Sequence, residues 1–351
     1  MTISGDRAGN SSLPAMAREA AESSAAAARQ IARCAPLFDA LAARLRHLDP
    51  KLVVSCARGS SDHAATYGKY LIETRLGLPV ASLGPSVASL YEAPLRLKDA
   101  LFVAVSQSGR SPDVLRLTET AGRAGALTVG FVNDETSPLA RLCDHVIPLC
   151  AGPEHSVAAT KSHLTALLAF LQMVARWSED AELAAAVTRT PRILADAAAL
   201  DWFPALAKLT GCGGLYVIGR GIGMGAACEM ALKFKETCRL HAEAFSAAEV
   251  IHGPLALVGP GFPILALSQD DATRAATAWT LERMVGLGAT VLSTDLAVPG
   301  ATALPTVPDL PPVLAPLAAV QSFYMAVHRL ARARGLDPDN PSNLRKVTET
   351  R

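Results

Sequence analysis

Leu101-Phe102-Val103-Ala104-Val105-Ser106-Gln107-Ser108-Gly109-Arg110-Ser111-Pro112-Asp113 is the stretch from which the fold can be read. Its first half is a short, almost wholly apolar run, the length and composition of a buried strand. Ser and Gly follow as turn residues. Ser111 then suits a helix N-cap, Pro112 the first helical position and Asp113 the first turn. A strand, a tight turn and a helix are therefore predicted in that order. Exposed backbone N–H groups and the hydroxyls of Ser106, Ser108 and Ser111 at a positive helix end could hold a phosphate. An ordinary capped turn accounts for the same residues, so the segment alone leaves both readings open.

Working outward, further apolar runs of strand length occur at Leu52–Ser55, Leu127–Val132 and His145–Leu149. Helical spacing covers His63–Leu76 and Asp113–Ala124 between them. Continuous apolar strands separated by helices imply a parallel sheet covered on both faces. The pattern recurs at Leu215–Gly219, Pro263–Ser268, Thr290–Thr294 and Ala303–Val307. Arg58-Gly59 and Arg220-Gly221 stand 162 residues apart, as do Ser106-Gln107 and Ser268-Gln269, and Asn133 and Asp295. Three coincident registers indicate a duplication. The predicted fold class is α/β, with doubly wound, flavodoxin-like parallel sheets in tandem over residues 35–180 and 200–335. A helical segment (1–34, with a helix at Ala15–Arg33) precedes them. A helix at Pro316–Arg334 and a tail (336–351) end the chain. The proline-rich Val298–Pro316 is expected to carry the last strand and a loop. In the second copy of the turn, Ser268-Gln269-Asp270-Asp271, two carboxylates would repel a phosphate. One phosphate site per chain is expected, in the first unit, and Arg58-Gly59-Ser60-Ser61 offers further donors at the same sheet edge.

Bulk properties exclude several classes. A net charge of +1 over 351 residues gives no field to hold nucleic acid. No uniformly apolar stretch is long enough to span a membrane, and Met1–Asn10 lacks the pattern of a signal peptide. The seven cysteines are odd in number and show no C-x-x-C spacing. Free thiols in a cytoplasmic setting fit them, with neither a disulfide frame nor a zinc site.

The residues suited to acid–base chemistry cluster later. Gly219, Gly221, Gly223 and Gly225 alternate before a helix but miss the dinucleotide-binding spacing. That helix carries Glu229, Lys233 and Glu236 on one face, with Lys235 pointing elsewhere. A solvated face with an intrahelical ion pair would look the same. His241-Ala242-Glu243 and Glu249-Val250-Ile251-His252-Gly253-Pro254 follow. A carboxylate and a histidine are what sugar ring opening and proton transfer between C1 and C2 require.

Gly59-Ser60-Ser61, Ser106 to Ser111, Val157-Ala158-Ala159-Thr160-Lys161, the Glu229/Lys233/Glu236 face, His241-Ala242-Glu243, His252-Gly253-Pro254-Leu255 and Asn340 to Lys346 occur in one order. Together they resemble the isomerase half of glucosamine-6-phosphate synthases, built from two SIS (sugar isomerase) domains, over residues 35–351. The resemblance implies a homodimer acting on a small sugar phosphate, with no metal or other cofactor. It implies that Ser106, Gln107, Ser108 and Ser111 hold the phosphate, with Ser61 nearby. Glu236 would move the proton between C1 and C2, His252 from the partner subunit would open the ring, and Lys233 would sit near the C1 oxygen. Lys346, otherwise just a tail lysine, would cover the sugar. Ala159 stands where the synthases have a serine, so one sugar-hydroxyl contact departs. About 35 residues precede the first unit, too few for the synthases' glutamine-hydrolysing domain. The expected activity is therefore deamination, glucosamine 6-phosphate to fructose 6-phosphate and ammonia. An aldose–ketose isomerase, a deaminase of another amino sugar phosphate and a non-catalytic phosphosugar-binding module are the alternatives.

Overall fold

The computed structural model describes residues 13–346. Its first part comprises α1 (Ala15–Ala21), α2 (Ser23–Leu48), β1 (Val53–Cys56), α3 (Ser60–Leu76), β2 (Val80–Ser82), α4 (Ser86–Ser89), β3 (Leu101–Ser106), α5 (Pro112–Arg123), β4 (Leu127–Val132), α6 (Pro138–Leu142) and β5 (His145–Pro148). Then come α7 (Lys161–Trp177), α8 (Ala181–Ala198) and α9 (Phe203–Leu206). The second part comprises β6 (Gly214–Gly219), α10 (Met224–Cys238), β7 (His241–Ser246), β8 (Pro263–Ala266), α11 (Arg274–Gly286), β9 (Thr290–Ser293), β10 (Thr302–Ala303) and α12 (Ala315–Ala333).

Each part forms a five-stranded parallel sheet, ordered β2-β1-β3-β4-β5 and β10-β9-β8-β6-β7. Counted from its own first strand, each sheet has the order 2-1-3-4-5, so the duplication extends to topology. The eight strands expected from the sequence are all present. The last, expected over Ala303–Val307, is displaced and shorter, at Thr302–Ala303, and ends before Pro305, which cannot donate to a ladder. The two strands not expected, β2 and β7, occupy the same place in each sheet. β2 is only three residues long, and β7 exposes His241 and Glu243, so neither shows an apolar run.

The predicted Ala15–Arg33 helix breaks at Glu22 into α1 and α2. The break centres on one carbonyl. The carbonyl of Ala20, which a continuous helix would use, accepts hydrogen bonds from the Ser23 hydroxyl (2.7 Å) and the Gln321 amide (3.0 Å). Beyond it, α2 runs through residue 34 without interruption.

The core is centred on α7, which is buried along nearly its whole length. Its polar residues Lys161, His163 and Gln172 are buried along with its apolar ones, and α2, α3 and α8 pack around it. The two parts meet where α10, itself packed on α12, lies on α3. A Cβ at Gly225 would stand 2.5 Å from the His63 carbonyl oxygen, so glycine permits this approach of α10 to α3. Among the described residues no helix is long and apolar enough to cross a membrane.

Candidate active site

In a sheet of this order the chain reverses direction between β1 and β3, and the crevice beyond their carboxyl ends is where open α/β sheets hold ligands. A cleft of about 300 Å³ opens there. One wall is the turn from β3 into α5, with Ser106, Gln107, Ser108 and Ser111. Gly109 has φ +63, and a Cβ there would meet the Ser137 hydroxyl at 2.2 Å, so the turn requires glycine. Its N–H donates to the Ser106 hydroxyl oxygen (3.0 Å), which leaves the hydroxyl's own proton available. Ser111 occupies the N-cap position, but its side chain makes no capping bond. Ser111 is thus the N-cap residue, as expected, and it lines the cleft without making the capping bond. Arg58 lines the same wall and is anchored by Asp113 through Nε (2.9 Å) and an η nitrogen (2.5 Å). Arg110 turns away to pair with Asp134.

The second wall is the turn from β1 into α3, with Gly59, Ser60 and Ser61, and the third is α10. Here the reading of a solvated ion pair fails. The side chains of Glu229 and Lys233 are 0% exposed and that of Glu236 is 18% exposed. The Lys233 ammonium donates to Glu236 Oε2 (2.7 Å) and Ser60 Oγ (3.0 Å) and lies 3.2 Å from Glu229 Oε1. Three donors thus meet three acceptors. Glu229 also accepts from the Tyr324 hydroxyl (2.7 Å) and the Ser60 hydroxyl (3.1 Å), and lies 3.0 Å from His63 Nδ1. Burial pushes the Glu229 carboxyl upward, but Lys233, His163 and His63 outweigh it and hold the group well below the usual range. Burial likewise pulls Lys233 down, and the two carboxylates outweigh it, holding the ammonium above its ordinary value. Glu229 is wholly consumed by this network. Lys233 does not line the cleft, and reaches it only through Glu236 and Ser60. Glu236 is the member of the face that opens into the cavity.

The fourth wall joins Val157 and Ala159 to the tail residues Leu344, Arg345 and Lys346. Lys346 Nζ lies 3.2 Å from Glu154 Oε2. Glu154 is buried and accepts from the N–H groups of Thr160 (3.0 Å) and Ser162 (3.1 Å) and the Ser162 hydroxyl (2.6 Å). Burial raises its carboxyl, and Lys346 with these donors outweighs that and holds it low. The remaining tail of the predicted 336–351 segment lies outside the described residues.

The cleft therefore gathers Ser61, Ser106, Gln107, Ser108, Ser111, Ala159, Glu236 and Lys346. His252 is exposed on the turn after β7 and does not line the cleft of its own chain. Ser60, Glu154 and Tyr324 were not singled out by sequence reasoning. Ser60 sits within a motif that was. Tyr324 is one apolar-face residue among many on α12, and nothing local marks it or Glu154.

At the corresponding edge of the second sheet, Ser268, Gln269, Asp270 and Asp295 line a separate cavity. Arg274 enters it, bonded to Asp295 (3.0 and 3.1 Å) and Asp270 (2.9 Å), so its charge is already neutralised. Gln269 points its amide inward to the Arg220 carbonyl and Thr273. Donors are thus free at one switch point and internally paired at the other.

The profile of the SIS domain matches residues 49–176 and 208–295, more than half of the chain. The chain belongs to the SIS domain family. Among curated SIS relatives, the glutamine–fructose-6-phosphate aminotransferase (isomerizing) of Thermus thermophilus is 32% identical over 86% of this chain and 52% of that protein. The chain spans about half the length of the curated relatives it matches. Among solved structures, an inferred phosphosugar isomerase from Silicibacter pomeroyi is 46% identical, with a TM-score of 0.89, covering 93% of this chain and all of that one. A glucosamine-6-phosphate deaminase from Thermotoga maritima shares the fold at 20% identity, with a TM-score of 0.72, covering 94% of this chain and all of that one. The chain is thus a double-SIS phosphosugar isomerase relative, with its two copies contributing different walls to one cleft.

Proposed function

We propose that this SIS protein is an isomerising deaminase of an amino sugar 6-phosphate, converting glucosamine 6-phosphate and water to fructose 6-phosphate and ammonia. The observation that carries the reading is Glu236. It is the carboxylate of an otherwise buried ion network that opens to the cleft, opposite a turn rich in free donors. The relatives' activities, on fructose 6-phosphate and glucosamine 6-phosphate, supply the substrate class.

The substrate phosphate accepts hydrogen bonds from the Ser106–Ser111 turn at the start of α5, where the helix end favours an anion. Arg58, its charge balanced by Asp113, lines that end of the cleft. His252 of a second copy opens the ring to the aldehyde. Glu236 removes the C2 proton, which gives an enolamine, and returns it at C1. The C2 imine then takes up water and releases ammonia. Lys233, bonded to Glu236, holds that carboxylate in one orientation, and Lys346 covers the sugar from the tail. Ala159, smaller than serine, leaves room beside the sugar.

Incubation with glucosamine 6-phosphate in deuterated water tests the reading. Ammonia and fructose 6-phosphate should appear in equal amounts, with deuterium at C1 in the fraction of turnovers in which the proton held by Glu236 exchanges with solvent. Deuterium exchange into fructose or glucose 6-phosphate without ammonia release would instead establish the aldose–ketose isomerase. The resemblance to the inferred phosphosugar isomerase keeps that second reading in view. Binding without any exchange would leave only a phosphosugar-binding module.

A further inference from the structure

Away from the cleft, Cys34 on α2 and Cys150, just after β5, bring their sulfurs to 3.8 Å although 116 residues separate them. Their surroundings differ. Cys34 is fully buried, and its S–H is also within reach of the Pro148 carbonyl (3.4 Å). Cys150 is half-buried and opens onto a surface cavity of about 580 Å³, lined by Arg29, Arg33, Asn133 and Glu135. The backbone holds Cys150 in place: φ is +54, unusual for a residue with a side chain, and Arg29 donates to its carbonyl (3.2 Å). The Cys34 S–H beside it, aided by Arg33, holds the Cys150 thiol below its usual value, whereas Cys34 is itself pushed up. Burial pushes the thiols of Cys56, Cys143, Cys228 and Cys238 up as well. A half-buried thiol beside Arg29 and an Arg33–Glu135 pair (2.8 Å), with a second sulfur at contact distance, is the arrangement that oxidants select.

We infer that Cys150 is a site of reversible oxidation by hydroperoxides, with Cys34 as the resolving thiol that closes a Cys34–Cys150 disulfide. The Cys150 thiolate attacks a peroxide oxygen, the O–O bond breaks, and sulfenic acid forms as hydroxide (or alkoxide) leaves with a proton from solvent. The Cys34 sulfur then attacks the Cys150 sulfur. The S–O bond breaks, and the departing hydroxide takes the Cys34 proton to become water. For hydrogen peroxide the sum is two thiols and one peroxide giving one disulfide and two waters. A disulfide requires about 2.05 Å between sulfurs, so closure draws Cys150 towards α2. Cys150 begins the loop that carries Glu154, Val157 and Ala159, which ties the oxidation site to the wall that holds Lys346.

The test treats the native protein with hydrogen peroxide, then alkylates it with iodoacetamide and maps the peptides. A Cys34–Cys150 disulfide peptide that dithiothreitol removes is expected. In Cys34→Ser, and in Cys34→Ala should the serine not fold, oxidation should stop at a Cys150 sulfenic acid captured by dimedone. Cys150→Ser should give neither product. The inference is overturned if Cys150 in the treated wild type stays as alkylatable as in untreated protein, or if dimedone labels another cysteine first.

Discussion

Lys233 and Glu236 stand one turn apart on α10 and meet at 2.7 Å, the lysine wholly enclosed and the carboxylate facing the cleft. The pair marks the boundary between an enclosed charge network and the one member of it that opens into the cleft. The consequences can be measured separately for each.

Glu236→Gln keeps the shape and loses the base. Turnover of glucosamine 6-phosphate should fall by about 10²–10⁴-fold, the usual share of a positioned acid–base group. KM should change little. Steady-state kinetics and deuterium exchange at C1 read both, and an unaltered kcat removes Glu236 from the proton transfer.

Lys233→Met leaves the Glu229 carboxylate buried without its cation. Removing one partner of an enclosed pair costs about 3–5 kcal/mol, which urea unfolding would register as a lower midpoint at unchanged slope. A loss below about 1 kcal/mol would show that the network is dispensable to the fold.

The pH dependence has a definite sign. Glu229 is held low in the folded protein, so its contribution is present above its unfolded value, about 4.3. It is lost as pH falls below that value towards the depressed folded one. Stability should therefore decline from about pH 4.3 downward, and Glu229→Gln should flatten that limb of the Tm profile. A variant as acid-sensitive as the wild type would place the effect elsewhere.

Ser111→Ala removes a hydroxyl that caps nothing. Stability should stay within about 0.5 kcal/mol. Loss of a hydrogen bond to a charged group, about 1.5–3 kcal/mol, should raise KM at least about tenfold. An unchanged KM with an intact fold would remove Ser111 from the phosphate site.

His252 sits outside its own chain's cleft, and the proposal places it in a second copy's. Chains carrying His252→Ala alone and Glu236→Gln alone should each be nearly inactive. Refolded together, they should recover about a quarter of wild-type activity through mixed dimers with one intact site. No recovery from a confirmed mixed dimer would confine His252 to its own chain.

Much of this could be read in the residues. Apolar runs and their spacing revealed eight strands, because a strand enclosed on both faces must be apolar throughout. β2 and β7 stayed hidden because edge strands are short or partly polar. The turn after β3 was legible as a possible phosphate cradle, but whether Ser111 caps or faces the cleft depends on the side chain's packed orientation. The break at Glu22 was not legible, since the Gln321 that helps cause it lies 301 residues from Ala20.

The sequence by itself determined that the chain is a duplicated α/β protein, with a hydroxyl-rich turn after β3 in the first copy and two aspartates in the equivalent turn of the second. These are local matters of periodicity and charge along a strand, a turn and the first turn of a helix. Only the tertiary structure decided which charges of the α10 face are buried and which opens into the cleft. That face reads the same whether it meets water or protein. It meets α3, whose Ser60 lies 173 residues before Lys233, and α12, whose Tyr324 lies 95 residues after Glu229. Burial of charge is settled by what packs on it, and here the packing elements come from opposite ends of the chain.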